Sequence, residues 1–169
     1  MYDFRIDAAD KPSLYRELIQ AADALTAGEP DPIANMANVA ALLWEALPDL
    51  NWAGFYRNVG AELVLGPFQG RPACIRIPFG RGVCGAAAAT LRPQRVDDVH
   101  AFPGHIACDA DSRSELVVPI VVDGRLVAVL DLDSPRAARF DDEDEAGCVE
   151  LAQLLAARLG VMAKASVEE

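Results

Sequence analysis

Cysteine is the residue type best suited to chemistry in this 169-residue chain, which contains four of them. Cys84 stands between Gly82 and Gly85, where a glycine-rich turn enters an alanine-rich segment, and the start of a helix favours a thiolate. The alternative for Cys84 is a small residue packed against that turn. Cys108 lies in a long polar loop, beside a histidine that supports a thiolate and an aspartate that opposes one. Cys84 and Cys108 are therefore the candidate reactive thiols.

The remaining two cysteines fit ordinary structural roles by themselves. Cys74 begins a predicted apolar strand that ends at Ile77, where a small buried cysteine is common. Cys148 lies on the apolar stripe of the last predicted helix, so we expect it in the core. A zinc site built from His105, Cys108, Cys74 and Cys84 is the alternative, but the chain has no Cys-x-x-Cys pair and zinc ligands are normally spaced more closely. The spacing therefore disfavours a metal site.

Two carboxylates end an otherwise apolar strand. Asp131 and Asp133 are two residues apart, so strand alternation places both on one face, about 7 Å apart, together with Val127 and Val129. Unpaired carboxylates buried there would cost several kcal/mol. Either they cap the strand end at the surface, or they meet a cation or hold a proton at a raised pKa.

The position of Glu115 depends on strand register. Asp123-Gly124 is a strong signal for a two-residue hairpin turn, and continuing its register places Glu115 opposite Leu132, away from the two aspartates. Pro119 cannot donate to a β-ladder and often marks a bulge. One bulge between Glu115 and Val122 would turn Glu115 onto the aspartates' face. Three carboxylates would then share one pocket.

Two aromatic residues share a face of the first predicted strand. Trp52 and Tyr56 are four residues apart, and such pairs usually belong to the core. The same pair would also form an apolar wall beside the carboxylates.

The overall charge narrows the range of partners. The chain has 26 acidic and 15 basic residues, a net charge of −11, which disfavours nucleic acid and anionic membranes. No apolar run is long enough for a membrane span, and the N-terminus does not have the pattern of a secretory signal. We therefore expect a cytoplasmic protein whose thiols are kept reduced.

The order of elements predicts an α+β protein, with a mostly antiparallel sheet of about six strands flanked by helices. We expect a single domain over 1–169, with N-terminal helices in 1–48, the sheet and active-site loops in 49–140 and a C-terminal helix in 141–163. The predicted helices begin at Ser13, Asp31 and Ala86 and in the acidic segment at Asp141. The predicted strands are Asn51 to Arg57, Glu62 to Leu65, Cys74 to Ile77, Leu116 to Val122 and Arg125 to Leu132.

Several motifs together resemble one known family, the stand-alone GAF-domain enzymes that reduce free methionine-(R)-sulfoxide. The resemblance covers nearly the whole chain and includes all three cysteines of that family. Its motifs are Asn51-Trp-Ala-Gly-Phe-Tyr56, Leu65-Gly-Pro-Phe-Gln-Gly70, Cys74-Ile-Arg-Ile-Pro78, Gly80-Arg-Gly-Val-Cys-Gly85, Asp97-Asp-Val-His100, Phe102-Pro-Gly-His-Ile-Ala-Cys-Asp109, Ser114-Glu115, Leu130-Asp-Leu-Asp-Ser134 and Phe140-Asp-Asp-Glu-Asp144.

The resemblance implies a thiol-dependent reduction without metal or organic cofactor. Cys108 would be the nucleophile, and Cys84 and Cys74 the two partner cysteines in an order that stays open. A sulfenic acid and then an intramolecular disulfide would form, and thioredoxin would regenerate the thiols. Trp52 would receive the substrate methyl group. The acidic residues that hold the substrate would be Glu115, Asp131 and Asp133.

Two other functions stay open beside this one. A GAF domain can bind small molecules without catalysis, and the same thiols could serve a redox or metal sensor. The cysteine trio together with the carboxylates favours the enzyme. A homodimer is compatible with all three functions.

Overall fold

The computed structural model describes residues 6–104 and 110–165. Within these ranges the helices are α1 (Lys11–Thr26), α2 (Pro32–Ala46), α3 (Gly82–Thr90) and α4 (Asp142–Ala165), with a short 3-10 helix at Val99–Ala101. The strands are β1 (Trp52–Asn58), β2 (Glu62–Gly70), β3 (Arg76–Pro78), β4 (Gln94–Val96), β5 (Ser114–Val122) and β6 (Arg125–Ser134). The predicted α+β class is confirmed.

One six-stranded antiparallel sheet organises the protein, with strand order β3-β2-β1-β6-β5-β4. The two N-terminal helices and α4 pack on one face around a core that includes Cys148, as the apolar stripe predicts. The other face carries α3 and a smaller apolar cluster that includes Trp52, Tyr56 and Cys84. The site described below lies on this second face.

The hairpin between β5 and β6 closes as predicted, since Asp123 and Gly124 both adopt positive φ angles of 50° and 75°. Val121 pairs with Leu126, but Ile120 pairs with Ala128, so Val127 is an extra residue in β6. The predicted bulge exists, but the expectation that Pro119 marks it is wrong. Pro119 pairs regularly with Val129, and the extra residue belongs to the opposite strand.

The bulge also corrects one side-chain assignment. Val129 lies with the site-face cluster as expected, but Val127 packs against the helix-face core. The inserted residue reverses the alternation between Leu126 and Ala128, and this brings Val127 to the face opposite Asp131 and Asp133.

Strand β2 is longer than predicted. It continues through Gly66 and Pro67 to Gly70, although glycine and proline weaken a strand pattern. A register shift opposite Gly54 and Tyr56 accommodates them. Strand β3, by contrast, begins only at Arg76, so the prediction that Cys74 starts a strand is wrong.

Candidate active site

A row of side chains crosses three adjacent strands on the site face. Trp52 of β1 pairs with Asp133 of β6, which pairs in turn with Glu115 of β5. One step along the sheet, Asp131 lies between Gly54 and Val117. The three predicted carboxylates therefore come to one face, because the bulge at Val127 shifts Glu115 from Leu132 to Asp133.

The carboxylates differ in their access to water. Glu115 is 6% exposed and Asp131 is 5% exposed, whereas Asp133 is half-buried. One Asp131 oxygen, Oδ1, is buried without a hydrogen-bond partner among the described residues. Solvent therefore reaches the carboxylate cluster mainly at Asp133, whereas Glu115 and Asp131 are shielded from it.

Helix α3 brings Cys84 against this cluster. The helix begins at Gly82, four residues before the predicted start at Ala86, so Cys84 lies in its first turn and not in the turn before it. The prediction that Cys84 is near the start of a helix is confirmed. Gly85 allows α3 to pack closely against the end of β3, since a Cβ at this position would lie 2.5 Å from the Pro78 carbonyl oxygen. The Cys84 thiol is buried, donates to Asp131 Oδ2 at 3.2 Å and lies 3.9 Å from Glu115 Oε1. Cys84 is a free thiol.

The expectation that the helix start favours a Cys84 thiolate is wrong. Burial raises the pKa of the Cys84 thiol well above its usual range, and the nearby charges of Asp131 and Glu115 add to the effect. Desolvation and two carboxyl groups within hydrogen-bonding range outweigh the dipole of one helix turn. Cys84 is therefore a proton donor in this arrangement.

The carboxylates themselves are pushed toward their protonated forms. Burial raises the pKa of Asp131 to about 7, partly offset by hydrogen bonds from Cys84 and Glu115. Burial also raises the pKa of Glu115 well above its usual range, with Asp131 and Asp133 contributing repulsion. The two carboxyl groups interact directly, so the pair shares a proton that burial and mutual repulsion keep on it more firmly than on an exposed carboxyl group.

An aromatic wall stands beside the acidic residues. The Trp52 ring stacks on Tyr56 at a centroid distance of 5.7 Å and on Phe68 at 5.2 Å. All three rings lie on the site face, so Trp52 and Tyr56 are both core residues and pocket wall. Phe68 was not predicted as part of the wall, because the predicted second strand ends at Leu65.

These residues line a pocket with an empty volume of about 520 Å³, including its open mouth. Its floor and walls include Trp52, Tyr56, Cys84 and the three carboxylates. The sequence did not identify two further polar lining residues, Arg81 and Ser112. A lining that combines an apolar wall with a few convergent polar groups is typical of a small-molecule site.

The three reactive cysteines predicted from the sequence have different placements. Cys74 is half-buried in the loop before β3, next to the pocket residue Ala73, and is held in a disulfide. Cys84 lies inside the pocket. Cys108 and His105 lie outside the described residues, and so does any zinc site that includes them. In the described part, the atoms of Cys84, Glu115 and Asp131 that could ligate a metal lie within 4.8 Å of one another.

No helix in the described ranges is both long and apolar enough to cross a membrane.

The GAF domain family matches residues 23–162, and the chain belongs to this family. Among its relatives, the free methionine-R-sulfoxide reductase of Escherichia coli is 54% identical over 142 residues, covering 84% of this chain and 86% of that protein. The enzyme of the same name from Saccharomyces cerevisiae is 42% identical over 154 residues, covering 86% of each. The chain therefore belongs, within the GAF proteins, to the free methionine-R-sulfoxide reductases.

A solved structure agrees with this assignment. The X-ray structure of free methionine-R-sulfoxide reductase from Neisseria meningitidis in complex with its substrate is similar, with a TM-score of 0.93 and 48% identity. The match covers 98% of this chain and 99% of that one. The fold and the family predicted from the sequence are both confirmed.

Proposed function

We propose that this protein reduces free L-methionine (R)-S-oxide to L-methionine in the pocket between β1, β5, β6 and α3. The observation that carries the proposal is the cross-strand row of Trp52, Asp133 and Glu115, with Asp131 beside it. An apolar ring next to three carboxyl groups is complementary to a methyl sulfoxide joined to an ammonium group. The sequence relationship to free methionine-R-sulfoxide reductases supports this substrate.

The acidic cluster would activate the sulfoxide. A sulfoxide oxygen is a poor leaving group until it accepts a proton, so the reaction needs a carboxylic acid that is still protonated near neutral pH. The raised pKa of Glu115 makes it our candidate donor. Asp133, on the half-buried side of the cluster, is our candidate for receiving the substrate ammonium, and Trp52 for contacting the methyl group.

Thiol chemistry would then carry the electrons. The Cys108 thiolate attacks the sulfur of the protonated sulfoxide and forms an S–S bond with it. The oxygen then passes to the Cys108 sulfur while the substrate S–O bond and this S–S bond break, which releases methionine and leaves a sulfenic acid on Cys108. A second thiol condenses with the sulfenic acid to form a disulfide and one water molecule. Two electrons and two protons thus convert the sulfoxide to thioether and water.

We propose Cys74 as the cysteine that resolves the sulfenic acid. Cys74 is already held in a disulfide, whereas Cys84 is a free thiol. The hydrogen bond of Cys84 to Asp131 and its raised pKa also make Cys84 the poorer attacking group. Cys84 would instead support the protonation state of the carboxyl groups.

A dithiol protein such as thioredoxin would reduce the resulting disulfide and become oxidised in its place. The reducing cytoplasm is the compartment in which this cycle would run. No metal or organic cofactor is needed for any step.

A turnover assay with the separated R and S forms of free methionine sulfoxide, thioredoxin and its reducing system tests the proposal. We expect the R form alone to be reduced, Cys108→Ser to abolish turnover, and Cys148→Ser to retain it as a matched control on the other face of the sheet. Peptide mapping after one equivalent of substrate should find a Cys108–Cys74 disulfide. Substantial turnover by Cys108→Ser would overturn the mechanism.

The same assay decides against the non-catalytic alternative. A small-molecule sensor would bind methionine sulfoxide without reducing it, and a metal sensor would retain metal through purification. Either result, together with an absence of turnover, would replace the enzymatic proposal.

A further inference from the structure

The pocket contains one charged residue for which the proposed chemistry has no role. Arg81 lines the same pocket as Glu115, Asp131 and Asp133, and it is the sole cationic residue among the described lining residues. A free amino acid carries a carboxylate as well as an ammonium group. The three acidic residues suit the ammonium and would repel the carboxylate.

Arg81 has no ionic partner within the part of the chain that the structure describes. Its two neighbours in the same segment are paired, Arg71 with Asp111 and Arg76 with Glu62. In residues 6–104 and 110–165, no hydrogen bond or ion pair engages the Arg81 side chain. An exposed arginine without a partner, in a chain with 26 acidic residues, leaves its guanidinium free to bind an anion.

The backbone next to Arg81 also favours binding of an anion. Helix α3, nine residues long, begins immediately after Arg81, and no described side chain caps its first turn. Gly82 and Val83, the first two residues of the helix, line the pocket. The first turn of α3, with its uncapped amides and the positive end of its dipole, therefore lies at the same pocket as Arg81.

A separate observation indicates that the pocket is built for a polar ligand. Among the described residues, neither Asp131 Oδ1 nor the indole nitrogen of Trp52 has a hydrogen-bond partner, and the two residues are only 5% and 3% exposed. Unsatisfied polar atoms in buried side chains are costly and need an explanation. Both side chains line the pocket, so a bound ligand with complementary polar atoms would provide the missing hydrogen-bond partners.

We infer that Arg81, together with the first amides of α3, binds the α-carboxylate of the amino-acid substrate. This inference rests on the proposed function for the identity of the ligand. Recognition of a free amino acid then divides between the two ends of the pocket, with the acidic row receiving the ammonium and Arg81 the carboxylate. A peptide-bound residue has neither charge and is excluded by both ends.

Titration calorimetry on the reduced protein tests this with two ligands that differ at the carboxylate alone, L-methionine and L-methioninamide. We expect Arg81→Gln to weaken methionine binding by about 10- to 100-fold, because it removes a charge-assisted hydrogen bond. The affinity for methioninamide should not change. Arg81→Lys should keep part of the preference for methionine, and Arg76→Gln, which loses an arginine outside the pocket, should behave as wild type.

The KM for methionine sulfoxide provides a second readout, which should rise in Arg81→Gln far more than kcat falls. An equal loss for both ligands, no loss for either, or a wild-type protein that does not distinguish them would overturn the inference. Failure of the reductase proposal would look different. Wild type would then show no turnover, while the effect of Arg81 on methionine binding would persist.

Discussion

A buried cysteine lies beside buried carboxyl groups on each face of the sheet, and the two surroundings differ. On the helix face, Cys148 lies 3.9 Å from the hydroxyl of Tyr15, which donates to Asp144 Oδ1 at 2.9 Å. On the site face, Cys84 donates to Asp131 at 3.2 Å. Burial raises the pKa of both thiols, that of Cys148 to about 12. The difference therefore lies in what surrounds the carboxylates.

On the helix face, the Asp144 carboxylate is surrounded by hydrogen-bond donors and positive charges. Asp144 is completely buried and accepts from Lys11 at 2.6 Å, Arg139 at 3.1 Å and the Asp141 amide at 3.0 Å. On the site face Asp131 has Cys84 and Glu115 as neighbours, and one of its oxygens has no partner among the described residues. A charge network that is complete within the protein joins α1 to α4, whereas an incomplete one is available to a ligand.

The largest expected effect separates the two networks by activity. Glu115→Gln and Asp131→Asn should each lower kcat/KM for methionine (R)-sulfoxide by about 10²- to 10⁴-fold, because each removes an acid–base group from the reacting centre. Circular dichroism should show that both variants fold. Asp144→Asn is the control and should keep nearly wild-type kcat/KM at a temperature where it is folded. Equal losses of kcat/KM in all three variants would show that the carboxyl groups of the site face are no more important for catalysis than Asp144.

The next effect separates the networks by stability. Asp144→Asn should lower the free energy of unfolding by about 3 kcal/mol, because Arg139, whose side chain is 7% exposed, would lose its carboxylate. This figure is the low end for a buried pair, since Lys11 is about one-third exposed and can turn to solvent. Urea unfolding measures the change. A decrease of less than about 0.5 kcal/mol would show that the ion pairs of Asp144 do not stabilise the packing of α1 against α4.

The smallest effect concerns pH. The raised pKa values of Glu115 and Asp131 mean that the folded protein holds protons that the unfolded chain releases above about pH 4. Their contribution to stability is therefore fully present below about pH 4 and falls as the pH rises, by up to about 1.4 kcal/mol per pH unit for each group. For Asp131 this fall ends near pH 7, where its carboxyl group in the folded protein also loses its proton. On the other face Lys11 lowers the pKa of Asp141 to about 2, which has the opposite sign.

Wild type and Glu115→Gln should be compared by urea unfolding at several values between pH 4 and 8. The difference between their free energies of unfolding should favour wild type at low pH and shrink as the pH rises, since glutamine has no proton to lose. A difference that does not vary with pH would show that Glu115 titrates in the folded protein as it does in the unfolded chain.

Short-range patterns in the sequence determined most of the fold and part of the site. Alternation along β6 placed Asp131 and Asp133 together, and the turn at Asp123-Gly124 fixed the start of the last hairpin. The glycine motif located Cys84 at the start of a helix. These features follow from local backbone geometry, which neighbouring residues dictate without help from distant parts of the chain.

Tertiary structure alone decided the rest. An extra residue in β6, Val127, turned Glu115 toward the aspartates, and no local signal in β6 indicated which strand would carry the bulge. The Cys84 thiol keeps its proton because Asp131 and Glu115 approach it from strands 47 and 31 residues away along the chain. Register beyond a bulge and the pKa of a buried group both depend on which distant residues meet, and that depends on how the sheet and α3 pack.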